Sequence, residues 1–351
     1  MKTFSAIPGL ILISITGFSQ YVTKYPEIPR IDVHTHISNN YPGIVNCLAM
    51  RDSLIAINKI DVAMWINLCG ESGEGETAID TITEVSKGRI MTCISDYTPQ
   101  RGLTHKPEDI AGYLKKGYVG YKIWHGSYYR VLKEGEKGIK YIDDPAHEPV
   151  IAAMEKAGMV MASLHCSDPN GPFGNRGKWC KDPVEFWREI MGLERVLQRH
   201  PDLVVVAAHG TWLLCQQDAQ IDFLRYLFKT YPNFYVDLAA TDQYYPLVNQ
   251  DNLRDLFIEY SDRILFGTDI GIIKNSEISG LAAGYARSFQ ILETNDLVKG
   301  GIWNENKATV TGLNLPKEVL ENIYYKNALK IYPGLAKRMI NLGYSIGTNV
   351  E

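Results

Sequence analysis

The sequence predicts an α/β fold: a single-domain (β/α)8 barrel of eight parallel strands, each followed by a helix, with extra helices at the C-terminal end. Three observations lead there. Short apolar runs alternate with amphipathic segments along most of the 351 residues. The runs are almost continuously apolar, as parallel strands covered on both faces are. Four of them end in, or run directly into, histidine or aspartate, and a barrel brings the C-terminal ends of its strands to one rim.

The eight runs are residues 31–36, 62–68, 90–94, 119–124, 160–165, 203–209, 234–238 and 264–268. Helical patterns fall at 53–59, 76–87, 107–116, 149–157, 183–199, 219–230 and 253–260, and two more, 279–292 and 316–332, close the fold. Pro107 and Pro183 stand at the first helical position, where a missing N–H costs nothing. Gly88, Gly117 and Gly158 precede the next strand, as glycines that end helices do. A doubly wound open sheet is the competing architecture, but no Gly-x-Gly-x-x-Gly follows the first strand to mark a dinucleotide site.

Residues 1–19 read as a signal peptide: Lys2 supplies the charged start, residues 6–18 a short apolar stretch, and Gly17-Phe18-Ser19 a cleavable end. The stretch is too short to span a bilayer roughly 30 Å thick. The expected product is exported, periplasmic or secreted, with a lead at 20–28, the barrel at 29–333 and a tail at 334–351. The net charge of −4 argues against nucleic acid or an anionic membrane as partner. A small-molecule substrate is expected, and a homo-oligomer is allowed. Export permits disulfides among the six cysteines. No Cys-x-x-Cys pair occurs, several cysteines lie in apolar runs as buried thiols do, and Cys166 with Cys180 is the pair to test first.

The chemistry lies at the strand ends. His34 and His36 alternate with Thr35 and so point the same way from one strand. His165, His209 and Asp269 end or directly follow three later runs. Each alone has an ordinary explanation, as a satisfied core histidine or a capping aspartate. Together they are the ligand types that a borderline divalent ion prefers. Such a set predicts a metal-activated water, and so a hydrolase or a related lyase. His105, His147 and His200 have no such placement and are expected at the surface.

Asp32-Val33-His34-Thr35-His36, Leu164-His165-Cys166-Ser167-Asp168-Pro169, Ala208-His209-Gly210 and Phe266-Gly267-Thr268-Asp269 resemble the amidohydrolase superfamily. The nearest part of it is the amidohydrolase-related branch, which also contains metal-dependent decarboxylases. Tyr231-Pro232-Asn233-Phe234-Tyr235-Val236-Asp237, the stretch 315–320 and Asn327-Ala328 add to the likeness, which spans roughly residues 29–332. The resemblance implies a TIM barrel. It makes His34, His36, His165 and Asp269 metal ligands, with His209 a further ligand or an acid/base beside the metal. Asp269 would then accept the proton of the attacking water. Lys122 stands where some members carry a carbamylated lysine bridging two metals; one divalent ion is favoured and two are allowed. Zinc is the leading ion, with manganese or iron as alternatives. Loops after the strands carry Trp124, Tyr128, Arg130, Arg176 and Tyr244, which suit a ring and a carboxylate on the substrate. The expected reaction is hydrolysis of an amide, ester or lactone. The alternative is decarboxylation of a small carboxylated substrate at the same site.

Overall fold

The computed structural model describes residues 20–68, 79–96, 103–126, 141–169, 183–214, 217–304 and 307–346. Its barrel strands are β1 (Arg30–Ile37), β2 (Val62–Asn67), β3 (Ile90–Thr92), β4 (Ile94–Asp96), β5 (Gly120–Ile123), β6 (Val160–Leu164), β7 (Val205–Ala207), β8 (Phe234–Asp237), β9 (Ile264–Leu265) and β10 (Ile270–Ile272). All neighbouring pairs are parallel. The fold is the TIM barrel, but its ladder falls into two arcs rather than one unbroken ring. One arc has the order β10-β1-β2-β3 and the other runs β4 through β9. Cys93 alone separates β3 from β4, so the run expected as one third strand serves both arcs. At the other seam, single bonds from Val33 N to Phe266 O (3.0 Å) and from Asp269 N to His34 O (2.8 Å) tie the arcs together.

Two expected strands stop early, each for a visible reason. The sixth run ends at Ala207, because the main-chain N–H of His209 donates to Asp237 Oδ1 at 3.0 Å instead of to a strand neighbour. The eighth ends at Leu265, because Phe266 N donates to Ile323 O and Thr268 N to Asp32 Oδ1. The first helix begins at Tyr41, well before the pattern at 53, with the Asn40 side chain accepting from Gly43 N as its cap. The helix Pro183–Arg199 has the bounds its pattern gave. Gly88, Gly117 and Gly158 all adopt positive φ at helix ends, which a side chain would strain.

Two apolar layers hold the fold. Alternation along the strands turns one set inward, including Ile31, Val33, Cys93, Ala162 and Val206, and that cluster continues into Leu335 and Met339. Residues past 333 therefore form a packed helix, Leu335–Asn341, which covers the N-terminal ends of the strands near Gly88 and Val119. The other layer fills the space between strands and outer helices. An antiparallel hairpin, β11 (Leu297–Lys299) and β12 (Thr309–Thr311), was not expected from the sequence.

His105, His147 and His200 are buried, which corrects their expected surface position. The ring of His105 packs edge-on against Tyr113 and Tyr121; His200 sits between Glu148 and Glu155 at 3.0 and 2.9 Å. Protein partners meet both ring nitrogens of His105 and His200 and Nδ1 of His147, which offsets the cost of burying them. Cys47, Cys93 and Cys166 are buried; burial pushes the Cys47 and Cys93 thiols up. Cys180, the partner suggested for Cys166, lies outside the described residues, as does the expected signal peptide. No described helix is long and apolar enough to cross a membrane.

Candidate metal centre

The strand ends bring His34, His36, His165, His209 and Asp269 to one cavity, which Lys122 and Trp124 also line. The backbone around them is unusual. His209, Gly210, Thr211 and Trp212 turn left-handed in sequence, and Ser163, Ala240 and Asp269 also have positive φ. Non-glycine residues held this way cost on the order of 1–3 kcal/mol each, and such strain concentrates at functional sites. Here it bends the chain away from the strand direction and aims the side chains of His209 and Asp269 into the cavity.

Carboxylates and carbonyls fix the imidazole rings. His34 Nδ1 lies 2.9 Å from Asp237 Oδ2, leaving its Nε2 toward Asp269 Oδ1 at 3.2 Å. His36 Nε2 reaches the same Asp269 oxygen at 2.9 Å. His209 Nδ1 lies 2.7 Å from the carbonyl of Ala239, an acceptor only, so that nitrogen carries the proton. His165 Nε2 lies 2.8 Å from Asp168 Oδ1. These contacts assign the tautomers by partner chemistry. Pairing of a ligating histidine with a carboxylate or carbonyl behind it is what orients rings at metal sites.

One consequence is decisive for what the site can hold. His165 Nδ1 and His209 Nε2 face each other at 3.2 Å, and each ring's other nitrogen is committed as a donor. Two lone pairs therefore point at one another. A cation beside them, held by both, removes the conflict. Burial, then the neighbouring His165 and His34, push His209 down to about 3, so the ring is neutral and its Nε2 lone pair is open to a metal ion. Burial likewise lowers His165, against the opposing pull of Asp168. Donor atoms of His34, His209 and Asp269 lie within 4.8 Å of one another, close enough to hold one ion. Burial works to raise Asp269, but His34 and His36 hold it well below the usual carboxylate range, so it is ionised at neutral pH. The residues present thus fit a divalent metal. Lys122 is buried and its Nζ donates to the carbonyl of Ser163 at 2.6 Å.

The cavity measures about 150 Å³. Trp124, Trp212, Tyr244 and Trp303 form aromatic walls, and the Trp212 ring stacks on His209 at 4.7 Å. Tyr128, Arg130 and Arg176 lie outside the described residues. Sequence reasoning missed several members. Asp237 is the last residue of β8 and stands next to the end of its apolar run, a signal close to the one that found Asp269. Asp168 stands three residues after His165, in Leu164-His165-Cys166-Ser167-Asp168-Pro169. Asp32, fully buried, accepts from His34 N, Thr268 and the Tyr285 hydroxyl, and burial raises it to about 6. Trp303 offers no local signal; it arrives from the β11–β12 connection.

Comparison with known proteins bears on the fold and the family. The solved structures similar to the chain include an uncharacterized TIM-barrel protein from Bordetella bronchiseptica, at 15% identity and TM-score 0.53, covering 89% of this chain and 99% of that one. They also include a dihydroorotase from Saccharomyces cerevisiae, solved with 5-fluoroorotic acid, at 12% identity and TM-score 0.53, covering 92% and 85%. At such identities the likeness speaks for the fold alone. No curated protein matches the chain. The family model described as amidohydrolase matches residues 132–334, more than half of the sequence. That match takes in the rim residues His165, His209 and Asp269, and the chain belongs to the amidohydrolase family.

Proposed function

We propose that the protein is a metal-dependent hydrolase that opens an amide, ester or lactone carbonyl of a small molecule. The observation that carries this reading is the pair of facing imidazole lone pairs on His165 and His209 beside the ionised Asp269 carboxylate. We propose one ion, zinc, because imidazole and carboxylate donors suit it; manganese and iron accept the same donors. Such an ion supplies Lewis acidity and lowers the pKa of water from 15.7 toward about 7.

The chain's own residues divide the remaining work. Asp269 accepts the proton of the attacking water and returns it to the leaving group, since an ionised carboxylate at the cavity edge reaches both. His34, His36, His165 and His209 hold the ion or stand against it. The Lys122 ammonium, fixed by Ser163 O, offers a positive charge to an acidic group on the substrate. Trp124 and Tyr244 supply flat apolar faces for its ring. Export is proposed from residues 1–19, so the enzyme would meet its substrate outside the cytoplasm.

The test uses the full chain purified with its metal. Hydrolysis of a panel of aryl esters, lactones and cyclic amides is expected, lost on dialysis against a chelator and restored by zinc. Carbon dioxide release from aromatic carboxylates, with no hydrolysis of that panel, would replace the reading with decarboxylation at the same site.

A further inference from the structure

Trp303 stands apart from the other cavity walls. It does not come from a strand end. It follows Gly300 and Gly301 in the connection between β11 and β12, a strap laid across the rim. Its indole N–H donates to the main-chain carbonyl of Asp269 at 2.9 Å. The side chain is 37% exposed, so the ring covers the cavity from the solvent side rather than filling the core.

The strap is held from two directions. Arg287, on the helix Ile278–Glu293, donates from Nε to Gly300 O at 3.1 Å and from a terminal nitrogen to Gly301 O at 3.4 Å. Asp242, in the loop after β8, accepts from Gly301 N at 2.9 Å and from Ser288 Oγ at 3.3 Å. The fit leaves no room at Gly301: a Cβ there would lie 2.3 Å from Asp242 Oδ2 and 1.9 Å from Ser288 Oγ. Both are short polar groups bonded to each other, so an added methyl would lift the strap.

We infer that Trp303 is a specificity-determining wall that limits the substrate to a single planar ring, and that Asp242 and Arg287 are positioning residues that set its height. The cavity's size agrees: about 150 Å³ is comparable to a cavity that holds benzene. Trp124, Trp212 and Tyr244 give that ring aromatic neighbours, and among the described residues Trp303 adds a wall on the solvent side. The inference rests on the proposal that this cavity is the substrate site.

Benzoate and 2-naphthoate serve as unreactive probes of one and two fused rings, with affinities measured on the zinc-loaded full chain. Wild type is expected to bind benzoate at least 10-fold more tightly. Trp303→Ala should narrow or reverse that preference by 10-fold or more, whereas Trp303→Phe, which keeps a ring but no N–H, should retain it. Gly301→Ala should shift the preference in the same direction as Trp303→Ala while leaving the indole in place. An unchanged preference in folded Trp303→Ala and Gly301→Ala, or no benzoate binding by wild type, overturns the proposal. Because neither acid is hydrolysed, the result stands apart from the hydrolase reading: turnover can fail while the ring selection is seen, and the reverse.

Discussion

His34 and Asp237 meet at 2.9 Å, ring nitrogen to carboxylate, with both side chains withdrawn from solvent. The other Asp237 oxygen accepts the main-chain N–H groups of His209 and Ala239 at 3.0 and 3.1 Å. One carboxylate therefore aims one imidazole and anchors the turn that carries another. Burial works to raise Asp237, but His34 and the His209 N–H hold it below the ordinary range. Asn at this position can accept on one side only and must present an amide N–H to the other. Asp237→Asn is expected to weaken zinc binding by roughly 10–100-fold, the usual effect of losing a carboxylate behind a ligating histidine. Competition against a chelating dye measures it, and unchanged affinity would show that Asp237 does not govern the His34 ring.

Asp269 serves as base and, with His34 and His209, can hold the ion, whereas His165 bears on metal retention. Asp269→Asn keeps the shape and removes the base, so turnover is expected to fall roughly 10²–10⁴-fold with little change in the unfolding midpoint. His165→Ala removes one of the two facing lone pairs and should lower bound metal as measured by elemental analysis. Full activity in both variants would end the proposed mechanism.

Asp242 gives a dependence on pH that Asn should abolish. Burial raises its folded pKa to about 6, against the pull of Gly301 N, Ser288 and Arg287, while an unfolded aspartate ionises near 3.9. Between those values the folded state binds more protons than the unfolded state, so this group's contribution to stability falls as pH rises from about 4 to about 6. Asp242→Asn keeps an acceptor for Gly301 N and Ser288. Relative to wild type it is expected to gain on the order of 1–2 kcal/mol across that window, allowing for partial exposure. Urea unfolding at pH 4, 5, 6 and 7 gives the difference, and a constant offset at all four values would refute the shift.

Arg30 and Glu293 form a buried ion pair at 3.0 Å beneath the barrel, with both side chains 0% exposed. Tyr21 and Thr23 also donate to Glu293, which ties the lead segment to the last long helix, and Phe289 and Tyr324 flank the guanidinium. Glu293→Ala strands a buried cation and should cost about 3–5 kcal/mol. The double replacement Arg30→Met with Glu293→Leu is expected to recover much of that loss, because burying a pair of charges offsets most of what their attraction contributes. Equal destabilisation of single and double variants in denaturant titrations would argue against this account.

Local pattern located the helix Pro183–Arg199 and the C-capping glycines, because a Pro start, a Gly stop and an apolar stripe act within one turn of the chain. It placed His34 and His36 on one face of β1, because the period of a strand is two. It misplaced the end of β7, because the bond that stops the strand comes from Asp237, distant in sequence. It put His105, His147 and His200 outside, because a polar residue between patterned segments reads as exposed unless its buried partners are known.

The order of strands and helices, and the chemical types gathered at their ends, belong to the sequence itself, since periodicity and turn chemistry are local. Which lone pairs face each other, which carboxylate stands behind which ring, and that Trp303 covers the mouth were decided only by the folded chain. Those relations depend on ring orientation and on contacts between residues far apart in sequence. Such contacts form only once packing has closed the barrel.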